Sequence, residues 1–209
     1  MSEGDAALFP PGALEKYDPS DDGAFYAEAR LVTHIDDAAI AALTDFYRTV
    51  LPAGGVLLDL MSSWVSHLPP EIAYRAVIGH GMNAAELAAN PRFTRWFRQD
   101  LNRDPALPLD DMSVAAAMIC VSIQYLQTPV SVLKDIARVL RPGAPLVISY
   151  SNRCFPTKAV AVWHTLDNTR RADLVSYYLK HAGFADIAVH RLVEEAPPSD
   201  PITAIVARI

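Results

Sequence analysis

The 209-residue sequence predicts a single α/β domain: a mostly parallel, doubly wound sheet, covered by helices on both faces, that ends in an antiparallel strand. Three observations carry this. Short apolar runs alternate with segments of helical periodicity up to about residue 150. Two of the runs, 56–60 and 114–122, are almost wholly apolar, as expected of strands buried on both faces. The last two strand-like segments, near 187–192 and 202–207, are separated only by Glu194 to Pro201. That is too short for a helical crossover, so they should form a hairpin.

Residues 1–22 are rich in Gly, Pro and Asp and read as a mobile or loosely docked lead-in, leaving 23–209 as the domain proper. Asp36 or Asp37 caps a helix in which Ile40, Leu43, Tyr47 and Val50 recur at helical spacing; Pro52, Gly54 and Gly55 stop it. The strand 56–60 follows. A short helix is expected near Pro69 and Pro70, because proline suits a first turn. Residues 76–78 read as the second strand. Asn83, with Glu86 three residues later, opens a helix in the manner of a capping box, and that helix ends before Asn90 and Pro91. Residues 96–100 form a short third strand and 114–122 a long fourth.

Thr128 and Pro129 make a cap and first turn for a helix with the apolar stripe Val132, Leu133, Ile136, Val139 and Leu140. Arg141-Pro142-Gly143 ends it, and 146–150 is the fifth strand. A helix from about 170 to 181 stops at Gly183, and the two late strands complete a sheet of seven.

The formal charge of −6 argues against a protein that tracks nucleic-acid phosphates. Arg92, Arg95, Arg98 and Arg103 cluster, and a solvated helix face accounts for them. Cys120 and Cys154 are too few for a disulfide framework and lack zinc-site spacing. The six histidines are scattered, so no metal is expected. Glu3 and Asp5 break any secretory leader, and no run approaches the roughly 18 apolar residues that cross a bilayer. A soluble, cytoplasmic protein without membrane or nucleic-acid partners is the expectation. Nothing in the sequence speaks to oligomeric state.

The segment "VLKDIARVLRPGAPLVIS" at 132–149 resembles the helix-turn-strand that follows the fourth strand in class I S-adenosylmethionine-dependent methyltransferases of the small-molecule type. The resemblance extends over roughly 24–208 and implies their Rossmann-like fold, with S-adenosyl-L-methionine as cofactor. Asp59 stands where that family ends its first strand with an acidic residue, but "LMSSWVSHLP" replaces the glycine-rich turn, so Met61, Ser62 and Ser63 would meet the methionine end of the cofactor. "VIGHGMNAAEL" at 77–87 is similar to the family's second strand and loop. Gly81 holds the place of the ribose carboxylate there, leaving His80, Met82 or the main chain to compensate. Gln99, Asp100, Leu101 and Asn102 look like the adenine-side loop. Val121 and Ser122 would lie at the end of the fourth strand, beside the reacting methyl.

Methyl transfer is an in-line displacement that needs alignment above all, and a base only if the nucleophile carries a proton. On the substrate side the resemblance points to Tyr125 after the fourth strand, to Asn152, Arg153 and Cys154 after the fifth, and to His67 and His34. Arg153 is expected to clamp an acidic or phosphorylated acceptor with Asn152 orienting it, and Tyr26 and Arg30 to form a lid. The implied activity is methyl transfer to a small molecule, with the acceptor atom open. The alternatives are a binding or scaffold protein that kept the fold and lost the cofactor site, and a different enzyme on the same scaffold.

Overall fold

The computed structural model describes residues 5, 7–196 and 198–209; of the expected lead-in, residues 1–4 and 6 lie outside these, as does Pro197 in the last hairpin. Seven strands form one sheet: β1 (Val56–Leu60), β2 (Ala76–Gly81), β3 (Arg95–Arg98), β4 (Ala116–Cys120), β5 (Leu146–Tyr150), β6 (Ala185–Val193) and β7 (Ile202–Arg208). Their order is 3-2-1-4-5-7-6. The first five strands run parallel to one another, and β7 is antiparallel to both β5 and β6. The chain winds outward in one direction to β3 and then returns to β4 beside β1. The crevice between β1 and β4 is therefore the topological switch point.

Among the described residues, the helices that accompany the sheet are α1 (Asp22–Phe25), α2 (Asp37–Val50), α3 (Ala84–Ala89), α4 (Pro129–Val139), α5 (Ala161–His164) and α6 (Asn168–His181). Side chains alternate across a strand, so neighbouring residues serve opposite faces. Leu57, Val77, Met118 and Val147 pack with Leu43 and Tyr47 of α2. Leu58, Ile119 and Ile148 pack with Leu133 and Ile136 of α4 and with Val175 and Leu179 of α6. These residues are at most 3% exposed, so both faces are closed, as the apolar runs require.

Two of the helix starts are capped as the sequence indicates, at Asp36 and Asn83. The Asp36 carboxylate accepts from the Ala39 N–H, and the Asn83 carbonyl oxygen accepts from the Ala85 and Glu86 N–H groups. Glu86 does not close the capping box; its carboxylate turns to Arg30 and Ser63 instead. Thr128 makes no side-chain cap bond. The Asp5 carboxylate serves that end of α4, accepting from the N–H groups of Val130 and Ser131, where unpaired donors and the helix dipole favour an anion.

Four sequence expectations change. No helix forms near Pro69 and Pro70: the residue before a proline avoids the helical region, so Leu68 and Pro69 stay extended and only a turn follows. The Arg92 guanidinium donates to the Pro70 and Ile72 carbonyls of that turn. The third strand ends at Arg98, two residues early. The arginine cluster lies on this edge strand and its flanking loops rather than on a helix. The fourth strand contracts to Ala116–Cys120 because Val121 takes a φ of +48°, which leaves strand geometry. The two short helices α1 and α5 had no legible periodicity.

Within 7–22, Leu14 is buried in the main core and Lys16 forms an isolated antiparallel bridge with Val160. The Ala161 and Val162 N–H groups donate to the Glu15 and Ala13 carbonyls. Beneath this strap lies Lys158, with no exposed side-chain surface. Its ammonium is 3.0 Å from Asp18 and 3.3 Å from Asp22 and donates to the Ser20 carbonyl at 2.8 Å; Lys16 also pairs with Asp22. Hydrogen bonds from Ser20, then the Lys158 ammonium, hold the Asp18 carboxyl down at about 2. Lys158→Met removes one side of a buried charge cluster, leaving Asp18 and Asp22 partly unpaired. Urea unfolding should show the variant to be less stable than the wild type; an unchanged unfolding midpoint would mean that the strap is not held by this cluster.

Candidate functional site

The carboxyl ends of the parallel strands surround a cavity of about 580 Å³, within the range of small-ligand sites. Its floor comes from residues after β1 (Met61 to Ser63), at the end of β2 (His80 to Asn83), after β3 (Gln99 to Asn102) and at the end of β4 (Cys120 to Ser122). Segments around Arg153–Phe155 and Tyr26–Asp36 supply a wall and the roof.

The loop after β1 is held by His80, which is 1% exposed. The Met61 N–H donates to its Nδ1 at 3.0 Å, so Nδ1 is unprotonated and Nε2–H donates to the Gln99 carbonyl at 3.0 Å. Burial pushes this imidazole down to about 4, and it stays neutral. The Ser62 N–H donates to the His80 carbonyl at 2.7 Å. The chain thus crosses the end of β2 so closely that a Cβ on Gly81 would lie 2.5 Å from the Ser62 carbonyl oxygen. Gly81 is required by this crossing, and a side chain in the ribose-carboxylate place is sterically barred.

Nearly all the residues singled out from the sequence meet in this wall: Met61, Ser62, Ser63, His80, Gly81, Met82, Asp100, Leu101, Val121 and Ser122, together with His67, Tyr125 and Arg153, and His34, Cys154, Tyr26 and Arg30. Two expectations fail. Asp59 is 1% exposed and lies under the loop, where it accepts from the Ser62 hydroxyl at 2.8 Å. It shapes the turn and does not face the cavity. Asn152 is exposed and outside the wall, because Ser151 takes the buried position after β5 and turns the next residue outward. The hydroxyls of Ser62 and Ser63 are also committed, to Asp59 and to Glu86, and are not poised for a ligand carboxylate.

The wall is polar but internally satisfied in most places. Tyr125 accepts from the Phe155 N–H at 2.8 Å, which leaves its own proton to donate; burial raises this phenol to about 12. Burial, and then the neighbouring His34, lowers His67 to about 4; burial also lowers His34. Both are neutral imidazoles at neutral pH. Arg153 donates to Asp200 at 2.7 Å. Ser122 is the exception: the residue borders the cavity, and its buried hydroxyl, like several others among the described residues, has no protein partner. Met61, His67 and Val121 all hold positive φ (54°, 51° and 48°), and Val121 is β-branched. Backbone strain of this kind concentrates at binding sites.

Sequence reasoning missed Glu86 and Asp200 as wall residues. Glu86 carried the signal of a helix cap. Asp200 exchanges backbone-to-carboxylate bonds with Asp36, 164 residues away, and no local pattern marks such a pair.

The strand order, the antiparallel β7 and the cavity at the switch point define the class I S-adenosylmethionine-dependent methyltransferase fold. Residues 74–148 match the family model described as a methyltransferase domain. Similar solved structures include an S-adenosylmethionine-dependent methyltransferase from Mesorhizobium loti (18% identity, covering 80% of this chain and 98% of that one, TM-score 0.57). The (4+2)-cyclase SpnF matches at 16% identity over 79% of each chain, with a TM-score of 0.59. Phosphoethanolamine N-methyltransferase 2 of Haemonchus contortus, in complex with S-adenosyl-L-methionine, matches at 13% identity over 80% of this chain and 52% of that one, with a TM-score of 0.57. At these identities the likeness is one of fold. No curated protein matches the chain.

Two outcomes follow from the loop. Gly81→Asp would install the carboxylate that the family pattern carries. It should instead cost about 1–3 kcal/mol of stability and weaken binding of S-adenosylhomocysteine, because its Cβ meets the Ser62 carbonyl. Tighter binding by calorimetry would show that the loop yields.

Burial raises the Asp59 carboxyl to about 7, only partly offset by hydrogen bonds from Ser66 and Ser62. A folded pKa above the unfolded value of about 3.9 means that this group stabilises the fold at low pH. That contribution is lost as pH rises from about 4 through 7. Asp59→Asn, neutral throughout, should therefore gain melting temperature relative to the wild type between pH 5 and pH 8. A constant difference across that range would show that the carboxyl titrates normally.

Proposed function

We propose that this chain transfers a methyl group from S-adenosylmethionine to a small-molecule acceptor. The observation that carries the reading is the cavity itself. It lies at the switch point of a methyltransferase fold, it is of ligand size, and Ser122 in its wall keeps a buried hydroxyl that has no protein partner. A buried hydroxyl without a partner costs free energy that a bound ligand recovers. The residues fit the cofactor. Asp100 and Asn102 would hold the base, the main chain at Gly81 and Met82 would lie along the ribose, and the Met61–Ser63 turn and Ser122 would border the reacting end.

The bound cofactor supplies an electrophilic methyl on a sulfonium. The chain's own part is to align and to exclude water. Tyr125, with its free proton and its oxygen fixed by Phe155, orients an acceptor. His67 and His34, neutral at pH 7, offer ring nitrogens that accept a hydrogen bond from the acceptor, and burial makes both weaker bases than a free imidazole. The segment from Tyr26 to Asp36 closes over the cavity, so an acceptor must fit beneath it. Together with the acidic charge, this favours a small molecule over a nucleic acid.

One observation favours a second reading, a binding or scaffold protein without catalysis: Gly81 stands where the ribose carboxylate is expected, and the Ser62 carbonyl fills the space beside it. Calorimetry separates the two. S-adenosylmethionine should bind with a dissociation constant on the order of 10–100 µM, one to two decades weaker than with the lost hydrogen bond. The purified protein should also carry co-bound S-adenosylmethionine or S-adenosylhomocysteine by mass spectrometry. No heat and no thermal shift at millimolar cofactor would establish the second reading.

A further inference from the structure

The carboxylates in the cavity wall already have partners. Asp22 pairs with Lys16 and Lys158; Asp36 and Asp200 accept from each other's backbone, and Asp200 also holds Arg153. Asp100 accepts from the Asn102 N–H and lies 3.6 Å from Arg103. Glu86 accepts from the Ser63 hydroxyl and from the backbone N–H of Arg30, both at 2.7 Å.

The guanidinium of Arg30 stands apart. It is half-buried in the cavity roof, and among the described residues it has no carboxylate within ion-pair distance. Its one hydrogen bond runs from Nη2 to the Phe25 carbonyl at 2.9 Å. Its other neighbours are ring faces: Phe25 at 4.7 Å, Phe155 at 5.3 Å and Tyr26 at 5.9 Å from ring centroid to guanidinium carbon. Ring faces attract a cation without neutralising it, and they hold a planar fork in one orientation with its remaining N–H groups available. Arg153, the cation that the sequence singled out, is engaged by Asp200 and largely exposed.

We propose that Arg30 is the anion-reading residue of the cavity, its guanidinium taking a carboxylate or phosphate group of the ligand bound beneath the roof. The identity of that ligand rests on the methyl-transfer reading, and the anion has two sources: the α-carboxylate of S-adenosylmethionine, or an acidic group on the acceptor. Either engagement also fastens the roof, because the Arg30 backbone is already tied to Glu86 at the start of α3.

The test is calorimetry on the full chain as wild type, Arg30→Gln and Arg30→Lys, with melting temperatures to confirm that each is folded. The ligands are S-adenosylhomocysteine and 5′-methylthioadenosine, which lacks the amino-acid portion, followed by inorganic phosphate and benzoate added at low ionic strength to protein saturated with S-adenosylhomocysteine. If the anion is the cofactor's, Arg30→Gln weakens S-adenosylhomocysteine by about tenfold to a hundredfold. It then leaves 5′-methylthioadenosine within about twofold, and Arg30→Lys falls between. If the anion is the acceptor's, S-adenosylhomocysteine is unaffected and wild type binds phosphate or benzoate where Arg30→Gln does not. Equal weakening of both nucleosides means that Arg30 only packs the roof, and it overturns the proposal, as does indifference of every ligand to the substitution. Failure of wild type to bind either nucleoside removes the methyl-transfer reading instead. The anion titration of ligand-free protein then decides Arg30 alone: binding lost in Arg30→Gln supports the assignment, and no binding in wild type rejects it.

Discussion

The carboxyl edge of the sheet is organised by a neutral imidazole. His80 has almost no contact with solvent and joins three strand ends: its own β2, the turn after β1 through Met61, and the exit of β3 through Gln99. An imidazolium at that position would present a proton to the Met61 N–H, so the neutral form is the only one that satisfies both bonds. With the turn held this tightly, Ser62 passes over β2 and only glycine fits at position 81. The loop that replaces a glycine-rich turn is thus specified by one histidine, one glycine and the buried Asp59 beneath it.

That arrangement alters where the polarity of the site comes from. In a turn built of glycines, main chain alone would approach a ligand. Here the small side chains look inward to the protein: Ser62 to Asp59 and Ser63 to Glu86. The wall presents groups that are fixed by neighbours, such as Tyr125 on Phe155, and very few that are unsatisfied. The unpartnered Ser122 hydroxyl lies beside the positive-φ Val121, so two local costs fall together at the end of β4.

The N-terminal third of the site is assembled at long range. Lys158 follows β5, yet its charge is balanced by Asp18 and Asp22, some 140 residues earlier, and Asp22 reaches the cavity wall. Asn83 adds a second tie, donating to the Tyr26 and Ala27 carbonyls while capping α3. Trp64 adds a third through the Val32 carbonyl. With the Arg30 N–H donating to Glu86, the roof segment is tied to its surroundings at several points along its length. A buried cation must keep its partners close, and here the partners of Lys158 belong to the segment that leads into the roof.

The fold was legible because it depends on periodicity and on turn chemistry. Apolar runs placed β1 and β5 within their observed bounds, Asp36 and Asn83 marked helix starts, and the short connection before residue 202 required the antiparallel β7. The site was legible as a neighbourhood, since strand ends and the residues after them must meet at the switch point of a parallel sheet. What each side chain does there was not legible. Asp59 and Asn152 occupy positions next to the cavity in sequence, but alternation and one tight turn point them away from it. Arg153 and Arg30 are both arginines in polar segments, and only folding brings Asp200 to the first while leaving the second among aromatic rings. Periodicity is a local property of the chain, so the sequence by itself determined the elements, their order and the edge of the sheet that holds the site. The pairing of charges and the orientation of side chains depend on contacts that no local pattern marks, such as Arg153 with Asp200 and Lys158 with Asp18, and only the tertiary structure decided those.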